Sequence, residues 1–125
     1  MYGNSALDSV VLGKSLTSLP EQCFYQCTSL KSFDIPSYIT SIGRRCFYGC
    51  TGFTAFTIPN NIDTIPYSAF EGCSNIETLV LGDSVKVLSE YAFADCYKLK
   101  TVTLGLALDS IADAYGHKAF VALTI

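Results

Sequence analysis

The strongest constraint on this chain is that it repeats. Residues 30–52 read LKSFDIPSYITSIGRRCFYGCTG, and residues 53–75 read FTAFTIPNNIDTIPYSAFEGCSN. Residues 76–98 read IETLVLGDSVKVLSEYAFADCYK, and residues 7–29 read LDSVVLGKSLTSLPEQCFYQCTS. These four units of 23 residues abut without an insertion. A fixed period of about 20–50 residues is the signature of a solenoid, in which each unit stacks on the next. Residues 1–6 align with the end of a unit, Met1 with Phe47 and Asn4 with Cys50. Residues 99–125 begin a fifth unit and then diverge. At this length a single domain over residues 1–125 is expected.

Seven apolar rows run through the units. Counting from the first residue of each, position one holds Leu7, Leu30, Phe53, Ile76 and Leu99. Position four holds Val10, Phe33, Phe56, Leu79 and Val102, and position six Leu12, Ile35, Ile58, Leu81 and Leu104. Position ten is Leu16, Ile39, Ile62, Val85 and Leu108; position thirteen is Leu19, Ile42, Ile65, Leu88 and Ile111. Position eighteen is Phe24, Phe47, Phe70 and Phe93, and position twenty-one Cys27, Cys50, Cys73 and Cys96. One unit cannot bury seven apolar side chains alone, but stacked units turn each row into an interior column. Each buried side chain contributes about 1.5–3 kcal/mol, against about 1–2 kcal/mol of backbone entropy per ordered residue. Stability is therefore expected to be shared between neighbours.

Positions four and six are two apart, as on one face of a strand. The head of each unit is therefore expected to form a strand, the five heads lying side by side. Each head ends at Gly13, Pro36, Pro59, Gly82 or Gly105, residues suited to a turn. A second extended piece is expected near residues 38–42. A short α or 3₁₀ turn is expected at residues 44–50 and 68–73, too short to stand as an independent helix.

The LxxLxL head resembles a leucine-rich repeat. IPSYITSIGRRCFYGC and IPNNIDTIPYSAFEGC resemble more specifically the BspA-like (Treponema-type) leucine-rich repeats, over nearly the whole chain. Ile35-Pro36, Ile58-Pro59, Ala69-Phe70 and Ala92-Phe93 carry the likeness, whereas other units have Leu-Gly or Cys-Phe instead. Position nine reads Ser15, Tyr38, Asn61, Ser84, Ala107, so no asparagine ladder is expected. The resemblance implies an α/β solenoid: a right-handed, gently curved coil, parallel strands on its concave face and short helical turns on its convex side. It also implies a binding role, since relatives look like microbial surface proteins that attach to host or bacterial partners. A cell-surface or secreted parent follows from the resemblance. Residues 1–6 show no basic-then-apolar leader, so a piece of a longer array is expected; read as a complete product, the chain would be cytoplasmic.

Half the residues are apolar and 15% are charged, which the buried rows account for. No apolar run reaches the roughly 18 residues of a membrane span. Eight basic residues against eleven acidic ones give a net charge of −3. Nucleic-acid binding needs a clustered basic face. The adjacent pair Arg44 and Arg45 is more simply a solvated end of a turn. His117, the single histidine, stands in the divergent tail, so no Ser–His–acid arrangement can be argued. Asp63, Glu71 and Asp83 show no pairing by spacing, and Gly43, Gly49 and Gly52 belong to repeat turns rather than a phosphate loop. No catalytic residue, metal or cofactor is expected.

The six cysteines admit three readings. Cys27, Cys50, Cys73 and Cys96 form one column, and Cys23 and Cys46 a shorter one. The leading reading is buried, apolar, free thiols. A column points its thiols one way, which disfavours disulfides. The CxxxC pairs lack the usual spacing of zinc ligands. Tyr25 and Tyr48 follow the phenylalanine row and could stack, while Tyr38, Tyr67 and Tyr91 fall at loop positions, as shields or as binding anchors.

The candidate binding surface is the open strand face, positions two, three and five of each unit. Its expected contacts are Ser32, Asp34, Thr57, Glu77, Thr78 and Lys100, with the charges setting orientation and on-rate. The leading function is a non-catalytic protein-binding module with an unidentified protein partner. A purely structural spacer is the rival. A carbohydrate-binding module would want aromatics on an open face, and the strand set has none. Incomplete end units could also template self-association.

Overall fold

The structure, a computed structural model, describes residues 2–107 and the backbone of residues 110–111. The repeat step becomes the step between neighbouring parallel strands. The strands are β1 (Ser18–Leu19), β2 (Ser41–Ile42), β3 (Ala55–Ile58), β4 (Thr64–Ile65), β5 (Thr78–Leu81), β6 (Val87–Leu88), β7 (Thr101–Thr103) and β8 (Ser110–Ile111). Strands β3, β5 and β7 form one sheet, β4, β6 and β8 a second, and β1 pairs with β2. Ala55 pairs with Thr78 and Thr78 with Thr101, so each residue meets its equivalent one unit on. Ser18 and Ser41 do the same in the second ladder, as do Thr64 and Val87.

The seven apolar rows are the core. Leu30, Phe53, Ile76 and Leu99 are buried, as are Leu19, Ile42, Ile65 and Leu88. Phe24, Phe47, Phe70 and Phe93 stack down the centre, with centroids 5.5, 5.0 and 5.1 Å apart and planes within 17°. Phe56 meets Phe70 edge-on at 4.8 Å. Burial weakens at the ends of the stack: Leu7, Val10 and Leu12 are half-buried, and Leu104 is 53% exposed.

Two expectations need correction. First, the five heads do not all form strands. Only the third, fourth and fifth units pair there, and they begin at position three, after the first apolar residue. Residue choice supplies a reason. Positions three and five are Ser32 and Asp34 in the second unit but Thr78 and Val80 in the fourth and Thr101 and Thr103 in the fifth. Threonine and valine favour the pleated strand and aspartate disfavours it. The second extended piece is also shorter than residues 38–42: Tyr38 lies in a turn and only Ser41–Ile42 is strand.

Second, among the described residues there is no helix. The segment from position fourteen to twenty-one is a run of overlapping reverse turns. Gln22, Arg45, Ser68 and Tyr91 at position sixteen all have φ between 54° and 58°, and Gln26, Gly49, Gly72 and Asp95 at position twenty have φ between 53° and 77°. A left-handed residue every fourth place breaks a helix. Turns replace it: the Cys46 amide donates to the Gly43 carbonyl (3.2 Å), that of Tyr48 to Arg45 (3.2 Å) and that of Cys50 to Phe47 (3.2 Å). The intervening amides point at the next unit. Arg45 donates to the Tyr67 carbonyl (3.1 Å), Phe47 to Ala69 (2.8 Å) and Gly49 to Glu71 (2.8 Å). The same three bonds recur from Gln22, Phe24 and Gln26, and from Ser68, Phe70 and Gly72. Alternate amides thus close the turn or join the stack, which satisfies the backbone of a buried segment without helix or sheet.

The divergent tail, including Leu108, His117 and residues 112–125, lies outside the described residues.

Candidate functional site

The inward rows leave two faces for contact. On the strand face, positions two, three and five point outward, giving Ala55–Ile58 and Thr78–Leu81 an alternation of exposed and buried residues. Ser32, Asp34, Thr57, Thr78 and Lys100 are exposed and Glu77 is half-buried. The structure does not gather the six into one concavity. Ser32 and Asp34 line a shallow depression of about 320 Å³ with Asp8 and Ser9. Thr57 lines another, of about 440 Å³, with Val80 and Thr103. Glu77 lines a third with Lys31 and Thr54.

Glu77 and Lys100 are neutralised by each other. The Lys100 ammonium donates to Glu77 Oε1 at 2.8 Å. This hydrogen bond, then the charge behind it, holds the Glu77 carboxyl below its ordinary range and the Lys100 ammonium above its own. Two of the three charges expected to steer a partner therefore act largely as a dipole, leaving Asp34 as the exposed net charge of the six.

The turn face is the more structured surface. Tyr2, Tyr25 and Tyr48 form a second aromatic column, with centroids 4.7 and 4.8 Å apart and planes within 8°. At the next unit the column meets Glu71, whose carboxylate accepts from Ser68 Oγ at 2.6 Å. Beside it Tyr67 and Tyr91 meet edge to face at 6.0 Å. The Arg44 and Arg45 guanidiniums lie 5.3 and 5.2 Å from the Tyr67 centroid. Tyr25, Tyr48, Tyr67, Tyr91, Arg45, Glu71 and Gln22 line a depression of about 250 Å³. The sequence suggested the stacking of Tyr25 on Tyr48, which the structure shows, but the arginines read as solvated and Tyr67, Tyr91 and Glu71 as separate positions, so the depression itself was not foreseen. The signal was positional: Arg44 and Tyr67 share position fifteen in successive units, and Arg45 and Tyr91 share position sixteen two units apart.

Tyr38 has a different task. Its hydroxyl donates to the Leu12 carbonyl at 3.2 Å. Asn61, one unit on at the same position, donates to the carbonyls of Pro36 (3.1 Å) and Ile39. At position nine Tyr38 and Asn61 thus each bridge to the preceding unit, without forming an asparagine ladder.

The cysteine columns lie beneath the turn face. All six are free thiols, five buried and Cys23 half-buried. Cys50 Sγ donates to the Phe24 carbonyl at 3.0 Å, Cys73 to Phe47 at 3.1 Å and Cys96 to Phe70 at 3.4 Å. Burial pushes the Cys50 and Cys96 thiols up to about 12, and those of Cys46 and Cys73 well above their usual range. Such thiols are poor nucleophiles at neutral pH. Among the described residues no group of three or more His, Cys, Asp or Glu could hold a metal ion, and no helix is long and apolar enough to cross a membrane.

Residues 1–120 match a sequence model of the BspA type leucine rich repeat region, in six copies. Solved structures similar to the chain include a leucine-rich repeat protein from Eubacterium ventriosum, with 28% identity and a TM-score of 0.72 over 85% of this chain and 32% of that one. Another, from Bacteroides ovatus, has 24% identity and a TM-score of 0.62 over 86% and 34%. A leucine rich cell surface protein from Faecalibacterium prausnitzii has 21% identity and a TM-score of 0.58 over 74% and 30%. The last two carry the fold alone. The chain spans about a third of the length of each of these proteins. No match to a curated protein was found.

Proposed function

This chain belongs to the BspA type leucine rich repeat family, and on that premise we propose that it is part of a non-catalytic protein-binding module. The partner is a protein that lies across the strand face, in contact with Ser32, Asp34, Thr57, Glu77, Thr78 and Lys100. In this reading the stack curves gently as a right-handed coil, with β3, β5 and β7 on its concave side. The parent protein is carried at a cell surface, in keeping with the F. prausnitzii relative described as a cell surface protein.

One observation carries the reading. The exposed residues of β3, β5 and β7 are small or β-branched and flat, namely Ala55, Thr57, Thr78, Val80, Thr101 and Thr103. A backbone or side chain can approach such a surface closely without displacing long side chains. Four of the six contacts, Ser32, Asp34, Thr57 and Glu77, are split over three depressions, which favours an extended protein surface over a small ligand. The Glu77 and Lys100 pair favours orientation by a local dipole, with Asp34 adding charge at one end.

The test is affinity capture with the wild-type chain, followed by binding of the captured partner to a Thr57→Arg, Thr78→Arg, Lys100→Glu variant. Loss of binding by this folded variant is expected. Unchanged binding, with loss in Tyr25→Ala or Tyr48→Ala, would move the contact to the turn face.

A further inference from the structure

We propose that the tyrosine-lined depression on the turn face is a carbohydrate site that takes a single neutral pyranose ring of a glycan. It is separate from the strand face and does not depend on the protein-binding reading.

The site lies where the tyrosine column stops. Tyr2, Tyr25 and Tyr48 stack at 4.7 and 4.8 Å, close to the strand spacing, because position nineteen repeats with the units. In the third unit that position is Glu71 and in the fourth the buried Ala94, so no fourth ring continues the stack. Glu71 is turned onto Ser68. The column ends in a depression bounded on its other side by the Tyr67 and Tyr91 pair.

Its chemistry is mixed in a way that selects the ligand. Tyrosine rings provide apolar faces, and their hydroxyls donate and accept. Gln22 offers an amide, Arg45 a fork of donors, and Glu71 acceptor lone pairs beyond the one used by Ser68. Burial, followed by the nearby Glu71 charge, keeps the Tyr48 phenol protonated and therefore a donor. A pyranose has the matching pattern, a C–H face for an aromatic ring and a rim of hydroxyls for polar groups. Arg45 and Glu71 oppose one another in charge, which disfavours a strongly anionic or cationic ligand. A volume of about 250 Å³ is just below the roughly 300 Å³ at which drug-sized pockets begin, so one ring fits and a second would extend into solvent. The Arg44 and Arg45 guanidiniums lie over Tyr67, and Tyr48 is the last ring of the stacked column, which makes Tyr48 the stacking platform in this proposal. The missing aromatics that counted against carbohydrate on the strand face are therefore present on the other side of the stack.

The experiment is a printed glycan array probed with the whole chain, followed by calorimetric titration of the best-bound neutral oligosaccharide. Binding is expected with a dissociation constant of about 1 mM or tighter, weakened about tenfold or more by Tyr48→Leu and by Arg45→Gln. Arg45→Gln keeps the test valid should Tyr48→Leu unfold, as read from thermal melts. Thr57→Arg on the strand face should bind like the wild type. Failure of every neutral glycan, binding confined to sulfated glycans, or binding unchanged in Arg45→Gln and in a folded Tyr48→Leu variant would each overturn the proposal.

Discussion

The strand side and the turn side of the stack hold neighbouring units together in different ways. On the strand side, the head ladder exists only where residues favour it, from Ala55 onward, and residues 30–35 pair with neither neighbour. On the turn side, the same three amide bonds cross every junction from the first unit to the fourth. There the phenylalanine stack, the thiol hydrogen bonds and the alternating amides coincide. The Phe47 carbonyl, for example, accepts from the Cys50 amide of its own unit and from the Cys73 thiol of the next. The more regular mechanical element of this fold is thus its chain of reverse turns, and the strand ladder can lapse without a break in the stack.

The difference can be pressed hardest at Phe47. Phe47→Ala empties a site that touches Phe24, Phe53, Phe56 and Phe70. It should cost about 3–5 kcal/mol in urea unfolding, a large share of the stability of a small domain. Near-normal stability would mean that the turn side does not carry the stack. Next in size is the response to alkali. The Cys50 and Cys96 thiols are raised to about 12 from an ordinary 9.0, so the folded state holds those protons more tightly than the unfolded chain. The stability they contribute is full below pH 9.0 and is lost as pH rises toward about 12. Unfolding midpoints should fall across that window, and less steeply in a Cys50→Ala, Cys96→Ala variant. In the same folded range a thiol reagent should label all but Cys23 slowly.

A smaller effect of opposite sign is expected at Gln26. It holds φ 53° where Gly49 and Gly72 stand in the next two units. Gln26→Gly removes a Cβ penalty of about 1–2 kcal/mol, offset in part by the entropy glycine loses on folding. A net gain of up to about 1 kcal/mol should appear in the melting temperature, and a loss would refute the turn geometry. Smallest of all are strand-face changes. Thr78→Arg should leave stability within about 0.5 kcal/mol. The surface Glu77 and Lys100 pair should add little, and what it adds should fade with salt and as pH falls through the carboxylate range.

Periodicity makes the core legible in the sequence, because a row that repeats at one step has to become a column. Phe47, Ile65 and Cys73 could be placed inside from the sequence alone. The turn segment could not be read as easily. Arg45, Ser68 and Tyr91 hold left-handed backbone without being glycine, so residue type gave no warning and a helical turn was expected. The lapse of the head ladder at Ser32 and Asp34 was visible only as weak strand propensity, which neighbouring units often override. Of the candidate sites, the exposure of Thr57 and Thr78 followed from alternation. The Glu77 and Lys100 contact requires side-chain geometry, although both stand at position two of adjacent units. The convergence of Tyr48, Tyr67, Tyr91 and Arg45 joins positions fifteen, sixteen and nineteen of different units, which a row-by-row reading separates.

The most direct measurement is native-state hydrogen exchange at the junction of the first and second units, where the turn ladder is present and the head ladder absent. The amides of Gln22, Phe24 and Gln26, which donate to Arg44, Cys46 and Tyr48, should exchange slowly, at rates set by opening of the stack. The amides of Lys31, Ser32 and Asp34 should exchange far faster. Equal protection of the two sets, or faster exchange at Phe24 than at Ser32, would contradict the claim that the turns hold the repeats together.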